Sequence, residues 1–189
     1  MFKNTRTMTE IAVLIALAFV LEAAAAMYST FIWVYGGALS LSLVPLAIIG
    51  YRHGWKAGFV GGFIMGLLQL IMGAWIVHPA QVLLDFPLPF AMLGLAGIWA
   101  HQVNSGKHWR FFIFLSTFVA SLLRLACHVV AGYIFWSEGL TGAQAWWNSL
   151  IYNFPYVTGS WIISVIVLEI LYKRYVRFFQ PARYMPRRF

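Results

Sequence analysis

Apolar residues gather in six runs along the chain, at 8–27, 38–51, 56–76, 79–100, 111–135 and 147–172, and most of the charge lies between them. A hydrocarbon core is crossed by roughly 20 predominantly apolar residues in a helix. The pattern therefore predicts an all-α integral membrane protein, a bundle of six transmembrane helices in a single domain spanning 1–189. The second run is the weakest of the six. It is short and is preceded or interrupted by Gly36, Gly37, Ser40, Ser42 and Pro45, so it is expected to be a broken or tilted pass.

Charge fixes the expected topology. With six passes, Lys3, Arg6, Arg52, Lys56, Lys107, Arg110, Lys173, Arg174, Arg177, Arg183, Arg187 and Arg188 share one side, and Arg124 alone falls inside a run. Removing the second pass would scatter basic loops over both sides, against the positive-inside rule. N- and C-termini are accordingly expected in the cytoplasm, in a multi-pass protein of the cell membrane. Composition agrees: 62% of residues are hydrophobic and 10% charged, where a soluble domain has about a quarter charged. The net charge of +8 needs no nucleic acid, because anionic cytoplasmic lipid attracts residues so placed. The first run passes through Glu22 and is read as a retained helix rather than a cleaved signal peptide. One cysteine, Cys127, allows neither an intrachain disulfide nor a thiolate cluster.

Two small-residue patterns predict packing. Gly54, Gly58, Gly62 and Gly66 recur every four residues, the spacing of a smooth ridge against which a neighbouring helix can pack closely. They lack the Gly-Lys-Ser/Thr ending of a phosphate loop, so no nucleotide site is implied. Ala12 and Ala16 form a second stripe on the first helix, suited to internal packing or to docking another membrane protein.

Depth brings the polar residues together. At 1.5 Å per residue, Asp85 lies roughly 9 Å into the fourth helix, His128 roughly 12 Å into the fifth and Asn153 roughly 9 Å into the sixth, all from the same face. Ionisable groups inside a membrane cost at least about 2.5–3.5 kcal/mol and usually mark a cavity or pathway. Asp85 suits a cationic ligand unless it pairs with Arg124, for which Glu22 is the competing carboxylate. Pro87 and Pro89 remove the donors that would meet the carbonyls of Leu83 and Asp85, and such broken backbone is tolerated only where protein or a wet cavity satisfies it. Aromatic residues cluster at the same level. Trp33 and Trp146 fit an interface belt, and Trp75 and Trp136 fit stacking on a cation. The loop holding Trp33 and Tyr35 is placed to cover the site. His128, without a second histidine at its depth, is expected to hydrogen-bond a small polar ligand rather than a metal.

Leu122-Leu123-Arg124 with His128, Ala131-Gly132 and Phe135-Trp136, together with Thr9-Glu10-Ile11-Ala12, His78-Pro79 through Leu84-Asp85-Phe86, and Ser149-Leu150 with Tyr152-Asn153, resemble the thiamine-specific substrate-binding (S) component of energy-coupling factor (ECF) transporters. The resemblance runs in order over nearly the whole chain. It implies thiamine capture from outside and delivery inward after docking on a transmembrane coupling subunit attached to two cytosolic ATPases. It also implies that the chain itself hydrolyses nothing and holds no cofactor, ATP being used by the partners. It places Asp85 at the cationic ligand, His128, Trp136 and Asn153 around it, Trp75 as a closing aromatic, and Ala12 and Ala16 at the coupling subunit.

Three positions depart from the family pattern. Phe86 and Asn148 stand at site positions where members often carry tyrosine, and Met65 stands where tryptophan can occur. A site that hydrogen-bonds its substrate discriminates strongly by such groups, so a related vitamin or a thiamine precursor is an alternative ligand. A gradient-driven secondary transporter is the alternative mechanism, disfavoured by the lack of a recognisable inverted repeat. An intramembrane enzyme would need a nucleophile with a base or a set of metal ligands, and neither HExxH nor GxSxG occurs.

Overall fold

The structure, a computed structural model, describes residues 4–29, 31–34 and 36–181. Tyr35, Lys3, Arg183, Arg187 and Arg188 lie outside the described residues. Each of the six apolar runs is helical for most of its length, with ends displaced by a few residues. Long helices are α1 (Thr5–Ser29), α3 (Trp55–Gln69, continued by a 3-10 turn), α7 (Trp109–Phe135) and α8 (Gly142–Tyr175). The fourth run is a composite of α4 (Pro79–Asp85), α5 (Pro87–Gly94), a 3-10 segment Leu95–Trp99 and α6 (Ala100–Asn104). Among the described residues, five segments are long and apolar enough to cross a membrane: Thr5–Ser29, Trp55–Met72, Pro79–Asn104, Trp109–Phe135 and Gly142–Phe178. The protein is a multi-pass membrane protein.

The sixth pass is α2 (Leu43–His53), only 11 residues long and so about 16 Å, half a hydrocarbon core. Residues 36–42 supply the missing length as irregular chain that reaches the level of Ser160, midway along α8. Backbone at that depth must find internal partners, and side chains provide them. The Leu39 N–H donates to Ser29 Oγ (3.1 Å), the Ser40 N–H to Ser160 Oγ (2.9 Å) and the Ser42 N–H to Ser40 Oγ (3.0 Å). Ser160 Oγ donates in turn to the Ala38 carbonyl (3.1 Å), Tyr152 to that of Gly36 (2.8 Å), and Tyr28 to that of Leu39. Gly37 completes the entry: its φ is +109°, and a Cβ there would stand 2.8 Å from the Tyr156 ring.

The α3 and α5 helices touch backbone to backbone. A Cβ on Gly58 would lie 2.3 Å from the Gly94 carbonyl oxygen, one on Gly62 2.1 Å from that of Phe90, and one on Gly66 2.4 Å from that of Phe86. The expected glycine ridge therefore exists over these three positions. Gly54 is not part of it: with φ +90° it is the hinge residue joining α2 to α3, and a Cβ there meets nothing within 4 Å. Gly62→Val should destabilise the fold by about 3 kcal/mol or more, because the added atoms meet a carbonyl that cannot move away. Gly61→Ala should be mild, since its Cβ would meet a side-chain methyl of Ile49 at 3.2 Å. Thermal unfolding in detergent checks the pair, and equal melting temperatures would contradict this packing account.

At the other end of the bundle, Arg52 joins three elements. Its Nε and Nη2 bind Glu10 of α1 at 2.7 and 3.0 Å, and Nη1 donates to the carbonyls of Arg177 and Gln180 at 2.9 and 2.7 Å. The short 3-10 turn Val176–Phe178 is thereby drawn under α2, and Phe179 is fully buried against Tyr51 and Tyr172. By helix position, every described lysine and arginine except Arg124 lies at this end.

Candidate functional site

Asp85 is the last residue of α4, one step before Phe86 interrupts the helix with φ −118° and ψ −81°. Pro87 and Pro89 follow, and neither can donate a backbone hydrogen bond. The interruption ends the helix where Asp85 meets α7. Its Oδ2 accepts from Gln81 Nε2 at 2.7 Å and from Trp136 Nε1 at 3.2 Å, and its Oδ1 lies 3.8 Å from His128 Nδ1. Two helices and the cap of α7 thus converge on one carboxylate.

Gln81 is the residue the sequence reading missed. Only 1% exposed, it stands one turn before Asp85 and is held in turn by the Val77 N–H, which donates to its Oε1 at 3.3 Å. The four-residue spacing on one helix face is the signal that could have found it. His78 caps the start of this helix, its Nδ1 accepting from the Ala80 N–H at 3.1 Å, and its ring stacks on Phe135.

Arg124 resolves the alternatives left by spacing: it pairs with Glu22 across the bundle, Nη2 to Oε1 at 3.5 Å, not with Asp85. Both are buried, at 4% and 6% exposure. Glu22 also accepts from Ser42 Oγ at 2.6 Å, and the guanidinium lies 4.7 Å from the centre of the Phe90 ring. Arg124 Nε–H points at His128 Nε2 at 3.4 Å. An arginine has no lone pair to offer, so Nε2 is the accepting nitrogen and the proton of a neutral His128 belongs on Nδ1, facing Asp85. Glu22, Arg124, His128 and Asp85 form a row from α1 through α7 to α4.

Asn153 faces the same region from α8. Its Nδ2 donates to the Ser149 carbonyl at 2.8 Å, and its Oδ1 accepts from the Tyr156 hydroxyl at 2.5 Å. Tyr156 meets the rings of His128 and Trp33 edge-on, at centroid separations of 6.0 and 5.8 Å. Ser149, which donates to the Val129 carbonyl at 2.9 Å, occupies the space a side chain at Gly132 would need, its Oγ 2.0 Å from an added Cβ. That close approach lets α8 present Asn153 toward α7.

The structure therefore brings together Asp85, His128, Trp136, Asn153 and Trp33, with Phe86 half-buried at the helix break. Other candidates stand apart. Trp75 is 77% exposed in the connection before α4, and among the described residues no hydrogen bond or ring contact joins it to the cluster. Asn148 is exposed on the second turn of α8, Met65 is fully buried in the core beside α5, and Tyr35 lies outside the described residues. Ala12 and Ala16 are exposed on α1.

Comparison with known proteins gives a consistent match. The family described as Thiamine transporter protein (Thia_YuaJ) matches residues 8–180. The chain is 34% identical over 178 residues to the thiamine transporter ThiT of Bacillus subtilis (strain 168), covering 90% of this chain and 92% of that one. A thiamine transporter ThiT of Lacticaseibacillus paracasei is 26% identical over 144 residues, 70% of this chain and 72% of that one. A solved structure of ThiT from Listeria monocytogenes superimposes with a TM-score of 0.64 at 28% identity, covering 90% of this chain and 99% of the other.

Proposed function

The chain belongs to the thiamine transporter protein (Thia_YuaJ) family, and on that premise we propose that its polar cluster is the capture site for thiamine, a monocation. It is a transporter, not an enzyme. The observation that carries the assignment is electrostatic. Glu22 and Arg124 neutralise one another, and a His128 fixed in its neutral form adds no charge. Asp85 is then the net charge among the described spanning residues at that end of the bundle, and a buried carboxylate without a permanent cation is matched by a ligand that brings one.

Roles follow from position. Asp85 balances the thiazolium, with Gln81 and Trp136 holding the carboxylate in place. His128 Nδ1–H and the Asn153 amide are the directional partners for neutral parts of the ligand. Trp136, Phe86 and Trp33 supply aromatic surface, and Trp75, exposed in the connection before α4, closes over the bound molecule. Phe86, half-buried at the helix break beside Asp85, sets the selectivity, whereas Asn148 and Met65 stand away from the cluster; a thiamine precursor or related vitamin is the competing ligand.

The termini face the cytoplasm in this reading, and the protein works as the S component of an ECF transporter, with ATP hydrolysed by partner subunits. The exposed Ala12 and Ala16 stripe on α1 is the docking face for the coupling subunit. Ala16→Trp should leave thiamine affinity within about twofold while lowering uptake by about tenfold or more, because a helix face that admits close approach is blocked by bulk. Binding to the purified chain and uptake by cells supplying the coupling module measure the two halves. Undiminished uptake would discard this docking assignment, and uptake without ATPase subunits would favour the gradient-driven mechanism.

A further inference from the structure

The end of the bundle that holds Arg52 and the start of α1 carries a second chemically distinct feature. A cleft of about 530 Å³ opens between the start of α1, the end of α2 and the end of α8, lined by Arg6, Arg52, Arg174, Tyr175, Val176, Arg177 and Phe178. Four arginines meet there, opposed among the described residues by the carboxylate of Glu10, which is already engaged by Arg52, Arg6 and His53 at 2.7, 3.1 and 3.3 Å. Among the described residues no ion pair engages Arg174 or Arg177.

The cleft is anchored. Arg52 is 8% exposed and its donors are taken up by Glu10 and by the Arg177 and Gln180 carbonyls. It therefore forms a fixed floor, and Arg174 and Arg177 keep their guanidinium groups for another acceptor. Guanidinium groups match phosphate oxygens in geometry as well as charge. The remaining walls are apolar: Tyr175 and Phe178 are exposed large side chains in edge contact with each other. Aromatic and basic residues side by side at the end of a membrane helix suit the level of lipid head groups.

We propose that this cleft binds a phosphate-bearing anion, specifically the head group of an anionic phospholipid, with Arg174 and Arg177 on the phosphate and the Tyr175 and Phe178 rings against the glycerol and upper acyl chain. A free phosphate would use the arginines and leave the apolar walls idle. The proposed site is separate from the Asp85 cluster, which lies toward the other end of the bundle, and does not depend on which vitamin is bound there.

The test is lipid retention by the full chain in detergent, counted by native mass spectrometry after addition of phosphatidylglycerol or phosphatidylcholine. One phosphatidylglycerol should be kept in preference to phosphatidylcholine. Arg174→Gln with Arg177→Gln should weaken that retention by about twenty- to thirtyfold, the effect of two arginine charges near an anionic head group. If the double variant fails to fold, each single variant should still show about a fivefold loss. Lys107→Gln with Arg110→Gln, which removes two charges from the same end but outside the cleft, should leave retention unchanged, and thiamine binding should be unaffected throughout. Equal retention of phosphatidylcholine, an equal loss in the Lys107 and Arg110 variant, or displacement by inorganic phosphate at matched concentration would each overturn the proposal.

Discussion

Asp85→Asn is expected to weaken thiamine binding by about 2–5 kcal/mol, roughly thirtyfold to a few thousandfold, the range seen when one member of a buried, hydrogen-bonded charge pair is lost. The substitution is nearly isosteric. The asparagine oxygen can still accept from Gln81 or Trp136, so the helix end at Phe86 and the cap of α7 should keep their places. What disappears is the charge. An uncharged thiamine analogue, with the thiazolium nitrogen replaced by carbon, separates the two contributions. Its affinity for the wild-type chain should be lower than that of thiamine, and its loss on Asp85→Asn should be at most about tenfold, the scale of a neutral hydrogen bond. Equilibrium titrations of both ligands against both proteins give the four affinities. Equal losses for cation and neutral analogue would contradict charge pairing and leave Asp85 a packing residue.

Arg124→Met is expected to be the most damaging change to the fold away from the glycine contacts. It leaves Glu22 buried with only Ser42 as a described hydrogen-bond partner, and removing one member of a buried ion pair costs about 3–5 kcal/mol. Glu22→Gln in the same chain should recover most of that stability, because a neutral amide does not need the guanidinium. Function should not recover with it. In the double variant His128 Nε2 has lost the Arg124 Nε–H, the imidazole is free to place its proton on either nitrogen, and thiamine binding should remain about tenfold weaker, one hydrogen bond's worth. Thermal unfolding and ligand titration on the single and double variants separate the two effects. Full recovery of binding along with stability would show that Arg124 acts only through the fold.

The fold was legible in the chain wherever an apolar run was long. Periodicity cannot show how α2 is completed, because the partners of residues 38–42 include Ser29 and Ser160, the latter up to 122 residues away in sequence, and single serines in apolar helices leave no pattern. What the sequence did show was the weakness itself, in Gly36, Gly37, Ser40, Ser42 and Pro45. The glycine ridge was visible from its spacing of four, but spacing cannot tell that Gly54 falls between two helices; its positive φ, at a junction without a loop, takes it out of the stripe.

Depth along the helices brought Asp85, His128 and Asn153 to one level, and they do converge in the structure. The sequence left Glu22 and Asp85 both open as the partner of Arg124, because choosing between them required the rotation of α1 against α7, which sequence does not carry. Tyr156 was visible only as one aromatic among many. Its position between Trp33, His128 and Asn153 depends on the irregular entry of residues 36–42, where Gly37 lets the chain lie against its ring.

The most direct measurement is a tryptophan-fluorescence titration of the purified chain, without partner subunits, against thiamine, the free thiamine pyrimidine, riboflavin and biotin. Trp33 and Trp136 lie within the proposed site, so ligand binding there should change their emission. Saturable quenching by thiamine at submicromolar concentration, with much weaker responses to the other three, is the predicted result. No response to thiamine, or a saturable response to another of the four in its place, would contradict the assignment of the Asp85 cluster as a thiamine site.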